Sequence, residues 1–250
     1  MTARANSDRF VGRRILITGG ASGIGLACAR LFIAGGAHVA ILDRNERELE
    51  KIASDLCSIV VTADVTDENA VTRAVERAAN DLGGLDGLVN AAGIAGSQLL
   101  VNTTQQHWRN VLDVNLTGPM LVTRVAVSFL QRNTSGTIVN VASGIALRPF
   151  AGQGAYAASK AGLLAWTKVL SQELAPNIRV NATCPGATDT PLMRANLPTG
   201  MSMKDLESQY ALQRQGTATE QAEAIAFLTS NESSFITGVS LAVDGGRTFH

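Results

Sequence analysis

Arg14-Ile15-Leu16-Ile17-Thr18 runs directly into Gly19-Gly20-Ala21-Ser22-Gly23-Ile24-Gly25, and the reading of this junction decides the fold. The first five residues form an apolar run of strand length. The glycines permit a tight turn, and the sequence from Leu26 to Ala34 is helical in character. Gly35-Gly36 ends that helix, and Ala37 to Leu42 is a second apolar run that closes on Asp43. Strand, helix and strand in this order make a β-α-β unit.

The alternation continues. A charged helix is predicted near Asn45 to Asp55, a strand at Ser58 to Thr62, a helix from Asp67 to Leu82 and a strand at Leu88 to Asn90. Later strands are predicted at Thr137 to Val141, Ile178 to Thr183 and Leu241 to Val243. Parallel strands need crossover connections, and helices supply them, so the pattern predicts an α/β, doubly wound parallel sheet with helices on both faces. No composition break or repeat divides the chain, so one domain over residues 1–250 is expected, with residues 1–10 as a flexible lead.

Composition narrows the function classes. Among 250 residues, 46% are hydrophobic and 17% charged, and Lys+Arg 21 balances Asp+Glu 21. A chain without a net basic field is a poor nucleic-acid or anionic-membrane binder, so neither partner is expected. The first ten residues lack an apolar core, and no stretch has the roughly 18 uninterrupted apolar residues of a membrane span. Cys28, Cys57 and Cys184 are too scattered for a disulfide framework or a zinc cluster, which suits a reducing, cytoplasmic setting. His38, His107 and His250 are likewise far apart, and no metal site is expected.

Glycines between a buried strand and a helix have a chemical use. Backbone N–H groups at a helix N-terminus can meet an anionic pyrophosphate only where side chains do not block the approach. Gly19, Gly23 and Gly25 are spaced Gly-x-x-x-Gly-x-Gly, which differs from the Gly-x-Gly-x-x-Gly dinucleotide fingerprint. Close helix-strand packing alone would also call for glycine here. Asp43, at the end of the second strand, stands where an acid accepts hydrogen bonds from an adenosine ribose. Its charge would repel a 2′-phosphate, which favours NAD over NADP, although the neighbouring Arg44 would offset the repulsion if it turned inward.

Tyr156 and Lys160 are four residues apart in a helical segment and so share a face. A free phenol has a pKa of about 10, and a nearby ammonium lowers it toward the range of a useful proton acceptor. The same pair also suits a packed aromatic beside a solvated lysine. Ser143 follows the predicted strand Thr137 to Val141, at the sheet edge where open α/β folds bind ligands, and its hydroxyl could donate to a substrate oxygen or simply shape a turn.

Thr18-Gly19 through Gly25, Asn90-Ala91-Ala92-Gly93, Asn115, Ser143, Tyr156-x-x-x-Lys160 and Pro185-Gly186 together resemble the short-chain dehydrogenase/reductase family in order and spacing, over essentially the whole chain. The chain is similar to the single-domain branch of about this length. The resemblance implies a Rossmann-type fold and an NAD(P)-dependent hydride transfer between nicotinamide and a secondary alcohol or ketone. It implies Tyr156 as general acid/base, Lys160 as the group that lowers its pKa and binds the nicotinamide ribose, and Ser143 as the group that orients the carbonyl. Asn115 would hold a water in the proton relay, though a helix-interior amide bonded to backbone is the simpler reading of that residue. Cofactor contacts are implied for Gly19, Ser22, Gly23, Ile24, Gly25, Asp43, Arg44, Asp64, Val65, Asn90, Ala91, Gly93, Tyr156, Lys160, Pro185, Gly186, Thr188 and Thr190. A homotetramer is implied as well, with the Tyr156/Lys160 helix at one interface and the segment from Val243 to Gly246 near another.

The stretch from Pro191 to about Gln213, with Met193, Met201 and Met203, resembles the family's substrate lid, and adaptable methionines suit an apolar pocket. Ile94, Ile145, Phe150, Gln153 and Met193 are expected near substrate. Arg148 is placed to pair with a substrate carboxylate, with an exposed loop arginine as the simpler reading. Two alternatives stay open: a 3-oxoacyl thioester reductase of the same family, and a non-catalytic NAD-binding regulator.

Overall fold

Period-two alternation sorts the side chains of each strand onto two faces, and the strands carry apolar residues on both. In β1 (Arg14–Thr18), Leu16 points into one apolar layer while Ile15 and Ile17 point into the other. The computed structural model describes residues 9–56, 58–133, 135–197 and 202–248.

Chain order is β1, α1 (Gly23–Ala34), β2 (His38–Asp43), α2 (Glu46–Leu56), β3 (Ile59–Thr62), α3 (Glu68–Leu82), β4 (Gly87–Asn90), α4 (Gln105–Leu112), α5 (Gly118–Leu130), β5 (Gly136–Val141), α6 (Gly154–Glu173) and β6 (Ile178–Pro185). Then follow β7 (Thr188–Asp189), α7 (Pro191–Ala195), α8 (Met203–Glu207), β8 (Gly216–Thr217), α9 (Ala218–Thr229) and β9 (Ser240–Val243). Seven strands form one parallel sheet in the order β3-β2-β1-β4-β5-β6-β9. Residues of α3, α5 and α6 cover one face, and residues of α1, α2 and α9 cover the other. This is the doubly wound, Rossmann-type arrangement. Its direction of strand addition reverses between β1 and β4, which opens a crevice beyond their carboxyl ends.

The expected elements are present with shifted ends. α1 begins at Gly23, so the last two glycines of the turn lie in its first turn rather than before it. The ten-residue lead is corrected at its end: Phe10 is 2% exposed, stacks edge-on against Phe32 with ring centroids 4.8 Å apart, and donates its N–H to Gly35 O. Residues 1–8 lie outside the described residues, as do Cys57, Met201 and His250. The sequence pattern assigns no element between Asn90 and Thr137, where α4 and α5 are found. The two helices meet through a π-helical turn at Asp113–Thr117. No described helix is long and apolar enough to cross a membrane.

Candidate active site

The glycine turn works by backbone contact. Gly19 has φ +66, and a Cβ there would lie 2.6 Å from Ala92 Cα. A Cβ on Gly25 would lie 2.4 Å from Gly19 O. The ends of β1 and β4 and the start of α1 therefore meet with no room for a side chain. α3 and α9 have side-chain caps, Asp67 accepting from Ala70 N and Thr217 from Glu220 N, whereas α1 has none at Ser22 and no acid in its first turn. Its leading N–H groups stay available to an anion from outside the helix, which is the fit a pyrophosphate requires.

Asp43 ends β2 beside this turn. Its Oδ2 accepts from Ala21 N at 3.1 Å and its Oδ1 from Asn45 N at 3.0 Å, so the carboxylate is held while still lining the cleft. Arg44 lies alongside, with Nη1 3.9 Å from Asp64 Oδ2, and both side chains are exposed. Burial works to raise the Asp64 pKa, but the Thr66 backbone and hydroxyl bonds and the Arg44 charge outweigh it and leave the carboxyl lowered.

At the other end α6 presents Tyr156 and Lys160. Lys160 is 4% exposed, its Nζ donates to Val141 O at 2.8 Å, and it sits 5.9 Å from the Tyr156 ring centroid. Burial pushes the ammonium down from 10.5 to about 8, against a smaller opposing effect of Cys184. Burial also raises the Tyr156 pKa, and the hydrogen bond with Ser143 works against that rise. The ammonium is turned to a carbonyl at the end of β5, and the Ser143 hydroxyl is the group hydrogen-bonded to the phenol.

A buried ammonium with a lowered pKa destabilises the fold. The penalty is full below the folded value of about 8 and fades as pH rises toward the unfolded value of 10.5. It amounts to about 3 kcal/mol at neutral pH, and Lys160→Met would remove it while leaving Val141 O without its donor, at a cost of about 1–2 kcal/mol. The variant is expected to melt about 2–8 °C higher at pH 7, with the gain shrinking as pH approaches 10. Calorimetric melts across that range check it, and a lower melting temperature at pH 7 contradicts it.

Two predicted residues stand behind the wall of the cleft instead of on it. Asn90 is 1% exposed and donates to Thr123 Oγ1 at 3.1 Å and to Asn140 Oδ1 at 2.9 Å. Asn140 in turn donates to Thr167 Oγ1, so this polar chain ties β4 and β5 to α5 and α6 and fixes the helix that carries Tyr156. Asn115, in the π-helical turn, is fully buried. Its Oδ1 accepts from Ile94 N at 2.9 Å, and its Nδ2 donates to Ile94 O at 2.9 Å and to Ser159 Oγ at 3.1 Å. Ser159 Oγ passes the link on to Tyr156 O. The Asn90 side chain is thus corrected from lining the cleft to a positioning group, and Asn115 matches the simpler reading of a helix-interior amide bonded to backbone.

The other predicted cofactor residues, namely Gly19, Ser22, Gly23, Ile24, Gly25, Asp43, Arg44, Asp64, Val65, Ala91, Gly93, Pro185, Gly186, Thr188 and Thr190, line one cleft of about 840 Å³ together with Ser143, Tyr156 and Lys160. Ile94, Ile145, Arg148, Phe150, Gln153 and Met193 line it too. Sequence reasoning missed Leu206, Gln209, Tyr210 and Arg247. Tyr210 braces the turn after Pro185, its hydroxyl accepting from Ala187 N at 2.9 Å. These residues sit in the stretch from Pro191 to Gln213 and in the C-terminal segment, where no motif marks them. No cluster of three or more His, Cys, Asp or Glu suited to a metal occurs among the described residues.

Comparison with known proteins identifies the family. A family model described as enoyl-(acyl carrier protein) reductase matches residues 19–248. The 3-oxoacyl-[acyl-carrier-protein] reductase of Thermotoga maritima is 40% identical over 244 residues, covering 95% of this chain and 98% of that protein. The crystal structure of the 3-ketoacyl-(acyl-carrier-protein) reductase from Brucella melitensis complexed with NADH superposes with TM-score 0.90 at 36% identity, covering 96% and 99% of the two chains. A short-chain dehydrogenase from Burkholderia cenocepacia in complex with NADP gives TM-score 0.89 at 37% identity, with coverage of 96% and 99%. On fold, site and relatives together, the chain belongs to the short-chain dehydrogenase/reductase family of oxidoreductases.

Proposed function

We propose that the protein uses NAD to interconvert a secondary alcohol and a ketone, with Tyr156 as the general acid/base. The carrying observation is the placement of Ser143, Tyr156 and Lys160 at one end of a cleft whose other end offers an uncapped helix N-terminus and Asp43. Nicotinamide dinucleotide, when bound, supplies the hydride acceptor or donor. Ser143 holds and polarises the substrate oxygen, and Tyr156 takes the hydroxyl proton in oxidation and returns it in reduction. Lys160 fixes the ribose beside the reacting carbon, while Asn115 holds Ile94 and the backbone of Tyr156 in register through Ser159. Proximity supplies much of the acceleration. The test is the change in nicotinamide absorbance across a panel of alcohols and ketones. Turnover of none of them would overturn the reading.

Reduction of a 3-oxoacyl thioester is the second reading, favoured by the Thermotoga maritima relative and by the family model. The intact Ser143, Tyr156 and Lys160 set speaks against a role confined to binding NAD. A homotetramer suits the apolar side chains that the fold leaves exposed, Trp108 on α4 and Val169 on α6.

NAD is preferred over NADP because Asp43 is held by Ala21 N and Asn45 N with its charge toward the cleft, and Arg44 leans to Asp64. Like charges brought together cost several kcal/mol. Asp43→Asn is expected to lower the ratio of kcat/KM for NAD to that for NADP by about 10–100-fold, at about 1.4 kcal/mol per factor of ten. A wild-type enzyme that favours NADP would refute the role given to Asp43.

A further inference from the structure

The mouth of the cleft beside Ser143 and Tyr156 carries two arginines that serve no ion pair among the described residues. Of the three arginines that line the cleft, Arg44 is matched by Asp64, and the other two have no such partner among the described residues. Arg148 and Arg247 instead bond to neutral groups. Arg148 Nη1 donates to Arg247 O at 2.9 Å, and Arg247 Nη1 donates to Gln209 Oε1 at 2.6 Å. A guanidinium carries five N–H donors, so most of the donor capacity of both is left for something else.

Arg247 is also held in place. Its Cζ lies 5.5 Å from the Phe150 ring centroid and 5.3 Å from that of Tyr210, so two aromatic rings grip the guanidinium. The buried Asp244 carboxylate accepts from Gly246 N, Arg247 N, Thr248 N and Thr248 Oγ1, which locks the turn that carries it. That turn is at the reactive end: a Cβ on Gly144, next to Ser143, would lie 3.9 Å from Thr248 Cγ2, and a Cβ on Gly186 would lie 2.8 Å from Asp244 Cα. A fixed cation with spare donors on the lining of a cleft is a receptor for an oxyanion.

We infer that Arg247, supported by Arg148, receives an oxyanion carried by the substrate away from its reacting carbon, either the carboxylate of a hydroxy or oxo acid or the phosphate of a phosphopantetheine arm. This rests on the proposed reaction only in placing substrate at the Ser143 end, and it assigns the C-terminal segment a part in choosing that substrate. The two arginines differ in duty: Arg247 makes the contact, and Arg148 positions it through the Arg247 carbonyl.

The test is equilibrium binding by calorimetry to the enzyme with NADH, using unreactive probes so that no turnover is needed. Cyclohexanecarboxylate is compared with cyclohexanecarboxamide, and pantetheine 4′-phosphate with pantetheine. One anion of the two is expected to bind at least about tenfold more tightly than its neutral partner, the equivalent of about 1.4 kcal/mol, with the advantage weakening as salt is added. Which arm shows it identifies the source of the oxyanion. Arg247→Gln should reduce the preference to less than about twofold, and Arg247→Lys should restore part of it. No preference in either arm, or a preference that survives Arg247→Gln, overturns the inference. Failure of the alcohol panel with the preference intact would count against the reaction alone.

Discussion

Tyr156→Phe is expected to lower kcat by about 10²–10⁴-fold, the range over which a positioned acid or base contributes. kcat/KM should fall equally, because the hydroxyl is engaged with the reacting oxygen chiefly as the proton moves. The ring keeps its place near Lys160, and Asn115 still holds the backbone at this point through Ser159, so dinucleotide binding and melting temperature should be close to those of wild type. That combination separates chemistry from folding. The raised phenol pKa adds a direction to the pH profile: Tyr156 remains a proton donor through neutral and mildly alkaline pH, so reduction keeps its acid there, whereas oxidation should accelerate as pH rises toward ionisation of the phenol. Steady-state kinetics in both directions test this. A variant retaining kcat within about threefold of wild type, well below the usual contribution of such a group, would remove Tyr156 from proton transfer.

Much of the site could be read from residue order because its parts are local. The β1-turn-α1 junction, the acid ending β2 and the four-residue spacing of Tyr156 and Lys160 are short-range patterns, and each survives folding with shifts of a few residues. Phe10 escaped because a single apolar residue in a polar lead has no periodicity to mark it, and only its edge-on contact with Phe32 reveals it as core. Asn90 was misplaced although the clue existed. It shares a strand face with Leu88, which belongs to the layer under α3, α5 and α6, so period-two alternation directs its amide away from Val89's side. Asn115 depends on a π-helical turn that propensities do not register. The duty of Lys160 toward Val141 O, and the meeting of Arg247 with Phe150 and Tyr210, join residues far apart in the chain, and no spacing rule connects them.

Gly19→Ala should have the largest effect on the fold itself, because two penalties act on one methyl group. At φ +66 an L-residue pays about 1–2 kcal/mol for the left-handed conformation. The added Cβ would also approach Ala92 Cα to 2.6 Å and Ala92 N to 2.7 Å, and backbone atoms cannot step aside as a side chain does. Forced overpacking typically adds about 1–3 kcal/mol. A total near 3 kcal/mol corresponds to a fall of about 6–12 °C in melting temperature for a domain of this size. Gly12→Ala is the control, since its φ is +74 but nothing lies within 4 Å of the new atom. It should lose about 2–8 °C, less than Gly19→Ala, and the gap between the two variants isolates the collision. Because Ala92 ends the turn on β4 that faces the glycine turn, relief of the collision must push the two apart, so Gly19→Ala should also weaken dinucleotide binding while Gly12→Ala leaves it unchanged. Equal melting temperatures for the two variants would show that β1 and β4 are not in the tight contact on which the phosphate end of the cleft depends.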